Sequence, residues 1–185
     1  MNTLVLDIET GGLKPESNAI CSITLKVFGK DEHRTIFITP QRELIYEPQA
    51  MRLTGISMDY LAQYGVDETI AIKQILSFIR ENFKKRPYVL GHNVEFDVRF
   101  LDCLFKRKAN IRFSDEIHFH RKDTMYNALF LKDAGVLEIE SISLGSCYTK
   151  LCNKQPTNAH SSLGDVLMTE ELYKMQMKLI NKEKE

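Results

Sequence analysis

Five side chains with acid, base or metal-binding chemistry stand out in this chain: Asp7, Glu9, Asp97, His160 and Asp165. The first two close an apolar, partly β-branched run, Thr3 to Ile8, whose composition reads as a buried strand. Side chains two apart on a strand share a face, so Asp7 and Glu9 project together. Thr10-Gly11-Gly12 then breaks the strand, because glycine permits turns and close backbone approach. Two carboxylates at the end of a hydrophobic strand repel each other and cost several kcal/mol per ion, on the order of magnitude, to desolvate unpaired. A divalent cation offsets that cost, and an all-oxygen donor set suits Mg²⁺ or Mn²⁺. On this segment alone a solvated strand end carrying two incidental acids remains the alternative.

Asp97 lies in Leu90-Gly-His-Asn-Val-Glu-Phe-Asp-Val-Arg-Phe-Leu101, between the apolar Phe96 and Phe100, where a helix normally keeps charge outside. The plain alternative is a surface acid at a helix boundary. Asp165 follows Ser162 at the spacing of an S-x-x-D capping pair, yet it directly precedes Val166 and Leu167 and can share their buried side. His160 falls just before that helix, in a loop. A lone histidine so placed is more often a surface residue or a satisfied core group.

These residues need elements to hold them. After the opening strand, Leu13 to Ala19 reads as a surface loop, and Ile20 to Phe28 and Thr35 to Thr39 as two more strands joined by a turn at Gly29-Lys30-Asp31-Glu32. Pro40 to Pro48 reads as irregular, followed by a short helical stretch around Met58 to Tyr64. Asp67 is a good N-cap for a helix whose apolar side is Ile72, Ile75, Leu76, Ile79 and Phe83. Tyr88 to Gly91 is a brief strand, and His92-Asn93 opens a helix with Phe96, Phe100, Leu101, Leu104 and Phe105 as its core side. Ile117 to Phe119 is the expected fifth strand, leading through Lys122-Asp123-Thr124 to a helix over Met125 to Ala134. Ile142 to Leu151 is a short helix, and the last helix runs from Ser161 to Ile180. The basic trios Lys84-Lys85-Arg86 and Lys106-Arg107-Lys108 end their helices, where cations match the helix dipole. The order of elements gives an α/β three-layer fold with a mixed five-stranded sheet, its first three strands antiparallel, flanked by helices.

Twenty-five basic residues balance 25 acidic ones, so the chain is not a simple basic coat for nucleic acid. Its 185 residues suit one domain, 1–185. Cys21, Cys103, Cys147 and Cys152 show no C-x-x-C spacing, which argues against a zinc site or disulfide framework and for a reducing, cytoplasmic setting. No apolar run reaches the roughly 18 residues of a membrane span.

Taken in order, D-x-E at a strand end, H-N-x-x-F-D at a helix start and H-x-x-x-x-D late in the chain form one pattern. With Asp7, Glu9, Asp97, His160 and Asp165 in these places, the sequence resembles the DEDDh, or DnaQ-like, 3′–5′ exonucleases of ribonuclease H-like fold, from Val5 to about Tyr173. Asp-Ile-Glu-Thr-Gly-Gly-Leu is similar to the opening motif of ribonuclease T and polymerase proofreading subunits, and Leu53-Thr-Gly-Ile56 and Lys122-Asp-Thr124 to weaker family signatures. Thr54 stands where proofreading subunits often carry histidine, and Ile20-Cys-Ser-Ile23 lacks an acid frequent there; both bear on the subfamily.

The resemblance implies two-metal hydrolysis of a phosphodiester. Asp7, Glu9 and Asp165 would hold one Mg²⁺, Asp7 would bridge to a second, and Asp97 would act mainly through water; Mn²⁺ could substitute. His160 would be the general base, since its ordinary pKa near 6.5 leaves it neutral at working pH. Gly12 and Leu13 would face the terminal nucleotide, and His92, Asn93 and Phe96 would border the site, although Phe96 also fits plain core. The expected activity is release of nucleoside 5′-monophosphates from the 3′ end of single-stranded or frayed nucleic acid, DNA ahead of RNA. A polymerase or a second copy of the chain would be the protein partner, and no membrane is involved. The alternatives are an RNA 3′ exonuclease like ribonuclease T or oligoribonuclease, and a catalytically silent module that binds nucleic acid or a polymerase. An endonuclease of the ribonuclease H type is a third reading, against which the late His-x₄-Asp speaks.

Overall fold

Alternation along the first strand sets the layers. In the computed structural model, which describes residues 1–156 and 161–182, β1 (Thr3–Thr10) sends Leu4, Leu6 and Ile8 to one side and Val5, Asp7 and Glu9 to the other. Burying a Leu or Ile contributes about 1.5–3 kcal/mol each. A one-residue slip would drive Asp7 and Glu9 into the core and Leu6 and Ile8 out of it, so the pattern holds the register. β2 (Ile20–Val27) and β3 (His33–Phe37) add antiparallel to β1, and β4 (Tyr88–Gly91) and β5 (Arg121–Asp123) parallel to it, in the order β3-β2-β1-β4-β5. The acid-bearing strand is thus central.

Seven helices accompany the sheet among the described residues: α1 (Pro48–Thr54), α2 (Met58–Tyr64), α3 (Glu68–Asn82), α4 (Val94–Ala109), α5 (Thr124–Asp133), α6 (Leu144–Cys152) and α7 (Ser162–Lys182). α3 and α4 cover the Leu4–Leu6–Ile8 side through Ile72, Ile75, Phe78, Val98, Leu101 and Phe105. On the opposite side Val166 of α7 packs with Val5 and Leu90, and a further core joins α5, α6 and α7 through Ala128, Leu131, Cys147 and Leu172. The result is the expected mixed five-stranded sheet between helices, its first three strands antiparallel. No described helix is long and apolar enough to cross a membrane.

The structure corrects the sequence reading in two places. The fifth strand is Arg121–Asp123, not Ile117 to Phe119; it pairs with β4 as Val89↔Arg121, Leu90↔Lys122 and Gly91↔Asp123. Ile117 is buried as loop core whereas Phe119 is 75% exposed. The polar β5 is tolerated because Lys122 lays its stem along Tyr88 and Tyr173, its ammonium 5.3 and 5.5 Å from their ring centres. Secondly, Pro48–Thr54 is helical, started by Pro48 and ended at Gly55, whose φ of 66° is left-handed.

Candidate active site

The end of β1 is shaped by a bulge. Glu9 faces Ser22 across the β1–β2 pair but Thr10 faces Ile20, so pairing slips just beyond the second carboxylate. The chain then passes Asn18 and Glu47 so closely that a Cβ on Gly12 would sit 2.4 Å from Asn18 Nδ2 and 2.6 Å from Glu47 Oε1. Asn18 Nδ2 donates to Glu47 Oε1 (3.1 Å), while the Lys14 N–H donates to Asn18 Oδ1 (2.8 Å). This clasp fixes the turn that holds Leu13 out, 77% exposed, just past the end of β1.

The third acid arrives on α7. Ser161 Oγ accepts the Gly164 N–H (3.2 Å), the capping contact the sequence reading gave to Ser162. Ser162 is instead buried, its hydroxyl 3.0 Å from Ser22 Oγ and 2.8 Å from Thr24 Oγ1. Ser22 and Thr24 lie opposite Glu9 and Asp7 in the ladder. The start of α7 is therefore pinned over the two acids, and Asp165, three residues on, comes down among them. Carboxylate oxygens of Asp7, Glu9 and Asp165 lie within 4.8 Å of one another.

Asp97 comes from the other layer. It is buried at the start of α4, and its Oδ1 accepts the Ile8 N–H over 3.0 Å. α4 starts where it does because Asp123, at the end of β5, accepts from the Asn93 N–H (3.1 Å) and Val94 N–H (2.8 Å) while also capping α5 through the Met125 N–H (2.8 Å). Asn93 adopts φ 67°, a left-handed conformation that asparagine tolerates.

Burial and repulsion act together on these groups. Burial raises the Asp7 pKa well above the usual carboxylate range, and Asp97, Asp165 and Glu9 add to it. Glu9 is pushed up to about 7, by burial and then by Asp165. Asp97 is also raised, chiefly by burial; the N–H groups of Ile8 and Asp97 itself oppose this, while Asp123 and Glu9 reinforce it. Glu9 Oε1 is buried with no hydrogen-bond partner among the described residues. A cluster of half-buried carboxylates with an orphaned oxygen fits a divalent cation, and its oxygen-only donors suit a hard one such as Mg²⁺ or Mn²⁺.

Of the other expected residues, Leu13, Asn93 and Phe96 line one cavity of about 500 Å³ together with Lys14, Arg99 and Tyr126. Phe96 is only partly buried, its ring tilted at 49° against Phe100 with centroids 4.8 Å apart, so it serves core and cavity at once. His92 is not in that lining: its Nδ1 meets Thr124 Oγ1 (2.8 Å) and its Nε2 meets the Ile142 carbonyl (2.9 Å), so both ring nitrogens are committed within the fold. Its pKa is lowered by burial, against the pull of the Ile142 carbonyl and Asp123. His160 lies outside the described residues. The sequence reading missed the positioning roles of Ser22, Thr24 and Ser162, because hydroxyls in a strand carry no signal of a partner 140 residues away.

Known proteins fit this arrangement. The family model of the RNase_T exonucleases matches residues 4–173. Among solved structures, E. coli exonuclease I in complex with a dT13 oligonucleotide is 20% identical with a TM-score of 0.78, covering 97% of this chain and 42% of that one. The exonuclease I of Methylocaldum szegediense is 21% identical with a TM-score of 0.75 and the same coverages. The zinc ion-bound form of the E. coli exonuclease I complex with single-stranded DNA is 20% identical with a TM-score of 0.75, again over 97% and 42%. The chain spans less than half the length of these proteins, and at such identities they show a shared fold. The family match runs from the second residue of β1 well into α7 and takes in every described acid of the cluster, and on that ground the chain belongs to the RNase T exonuclease family, the DEDDh-type 3′–5′ exonucleases that hydrolyse phosphodiester bonds.

Proposed function

We propose that residues 1–185 form one exonuclease domain that removes nucleoside 5′-monophosphates from the 3′ ends of single-stranded DNA, with Mg²⁺ as the metal. The convergence of Asp7, Glu9 and Asp165 carboxylates within 4.8 Å carries this reading. Exonucleases of the family use divalent metal ions, and here Asp7, Glu9 and Asp165 would hold them, with Asp97 alongside. Bound there, the metal would stabilise charge on the attacking and leaving oxygens of the phosphodiester.

The protein's own groups supply the rest. His160 takes the proton of the attacking water as that water's oxygen bonds to phosphorus, and the bond from phosphorus to the 3′ oxygen breaks. The departing 3′ oxygen takes a proton from solvent, so the shortened strand is left with a 3′ hydroxyl, and the released nucleotide keeps its phosphate on the 5′ carbon. Leu13 and Phe96 offer apolar surface to the terminal bases, and Asn93 offers amide groups to the backbone, contacts that tolerate any sequence. The oligonucleotide-bound exonuclease I structures support DNA as the substrate.

A 5′-labelled DNA single strand incubated with Mg²⁺ tests the proposal. The expected result is a ladder that shortens from the 3′ end and disappears with chelator. Binding without cleavage would instead make the chain a silent module, and faster loss of a matched RNA strand would reassign the substrate.

A further inference from the structure

Among the described residues no element covers the apolar outer side of α5. Thr124, Ala128 and Leu131 face inward, while Tyr126, Leu129 and Phe130 are 57%, 37% and 67% exposed. Surface helices keep polar groups outside, and single exposed apolar residues need no explanation. A contiguous set on one helix does, and two of its members are aromatic at i and i+4, on the same side and about 6 Å apart along the axis. Tyr126 also lines the cavity that holds Leu13, Asn93, Phe96 and Arg99. The aromatic stripe therefore begins in the wall of a cavity formed by the turn after β1 and the first turns of α4, the two segments that follow Glu9 and carry Asp97, and leads away from it by one helical turn.

Arg99 and Lys14 stand in the same cavity wall, and neither forms a salt bridge with another described residue. Glu16 and Glu95 share the wall, so the cations are local, matched to a backbone passing close by rather than to a broad basic field. Flat aromatic faces with free cations beside them suit bases and phosphates, whereas a protein partner would need no cation along the stripe.

We propose that Tyr126 and then Phe130 stack on successive bases of the single strand 5′ of the scissile bond, with Arg99 and Lys14 accompanying its phosphates. This deepens the exonuclease reading and rests on it. Stacking on an aromatic side chain does not depend on base identity, so the stripe would lengthen the bound strand without adding sequence preference.

The test measures binding of fluorescent DNA strands, from a dinucleotide to about ten nucleotides, by full-length protein in an Asp97→Asn background, with and without Phe130→Ala. Loss of one stacked base is expected to shrink the affinity gained on lengthening by about tenfold, and Phe130→Trp is expected to restore it. An unchanged gain in Phe130→Ala overturns the proposal. So does an equal loss on strands that are abasic at the 5′ positions, or a Phe130→Ala effect seen only as a changed oligomeric state. A wild-type chain that digests no strand from its 3′ end sinks the exonuclease reading itself; one that digests strands while Phe130→Ala keeps the full gain sinks only the stacking stripe.

Discussion

The backbone N–H of Ile8 donates to Asp97 Oδ1 over 3.0 Å, and Ile8 is the residue between Asp7 and Glu9. One hydrogen bond thus couples the helix that carries the fourth carboxylate to the strand that carries the first two. It also stabilises the charged form of Asp97 against the burial and neighbouring acids that raise its pKa.

That bond separates two substitutions at one position. Asp97→Asn keeps an oxygen for the Ile8 N–H and removes a buried charge, so the protein is expected to be as stable as wild type or more so, and inactive. Asp97→Ala orphans a buried N–H, at a cost of about 1–3 kcal/mol that offsets the relief of repulsion. Urea denaturation without metal, paired with a nuclease assay, checks both. An active Asp97→Asn would remove Asp97 from the catalytic set.

Glu9 makes stability depend on pH. Its pKa is about 7 in the folded chain against 4.5 ordinarily, so between these values the folded state binds the proton more tightly than the unfolded state. Stability is therefore expected to fall as pH rises from 4.5 to 7 in chelator, by an amount on the order of 3 kcal/mol from this group. The raised Asp7 and Asp97 act in the same sense. Glu9→Gln should flatten the fall, and Mg²⁺ should raise the melting temperature most near neutral pH, where the carboxylates must ionise. A profile that is the same in wild type and Glu9→Gln would remove Glu9 as its source.

His160→Ala is expected to slow hydrolysis by about 10²–10⁴ without unfolding the chain, the usual size of general-base catalysis. Steady-state kinetics check the assignment, since loss of the base should lower kcat with little change in KM. A variant as fast as wild type would pass the proton to another group.

Much of this was readable in the chain because period and chemistry coincide. Leu4, Leu6 and Ile8 alternate with Asp7 and Glu9, so one strand announces both its buried side and its acids. Asp97 was visible as a charge among aromatic core residues. What stayed hidden depended on contacts distant in sequence. β5 is polar because Lys122 rests on Tyr88 and Tyr173, whereas the apolar Ile117 to Phe119 was a false lead. α1 buries no residue, so it leaves no apolar period to find. Asp123 looked like part of a motif, yet its visible work is to cap α5 and collect the first N–H groups of α4.

Gly12 offers a sharper test of how the turn serves the acids. A methyl group there would lie 2.4 Å from Asn18 Nδ2, and Asn18 is itself buried and bound to Glu47 and to the Lys14 N–H. The added carbon cannot be accepted by a swinging surface side chain, so the Asn18–Glu47 clasp must open or the turn must lift. Overpacking of this kind costs about 1–3 kcal/mol, and the lifted turn carries Leu13 with it. Gly12→Ala is therefore expected to lower the melting temperature and to raise KM more than it lowers kcat, because the acids stay on β1 while the surface offered to the terminal base moves. Steady-state kinetics on a short DNA strand would show this split. An equal fall in kcat with KM unchanged would mean instead that Gly12 acts on the carboxylates through Glu9, and the turn would lose its role in holding the strand end.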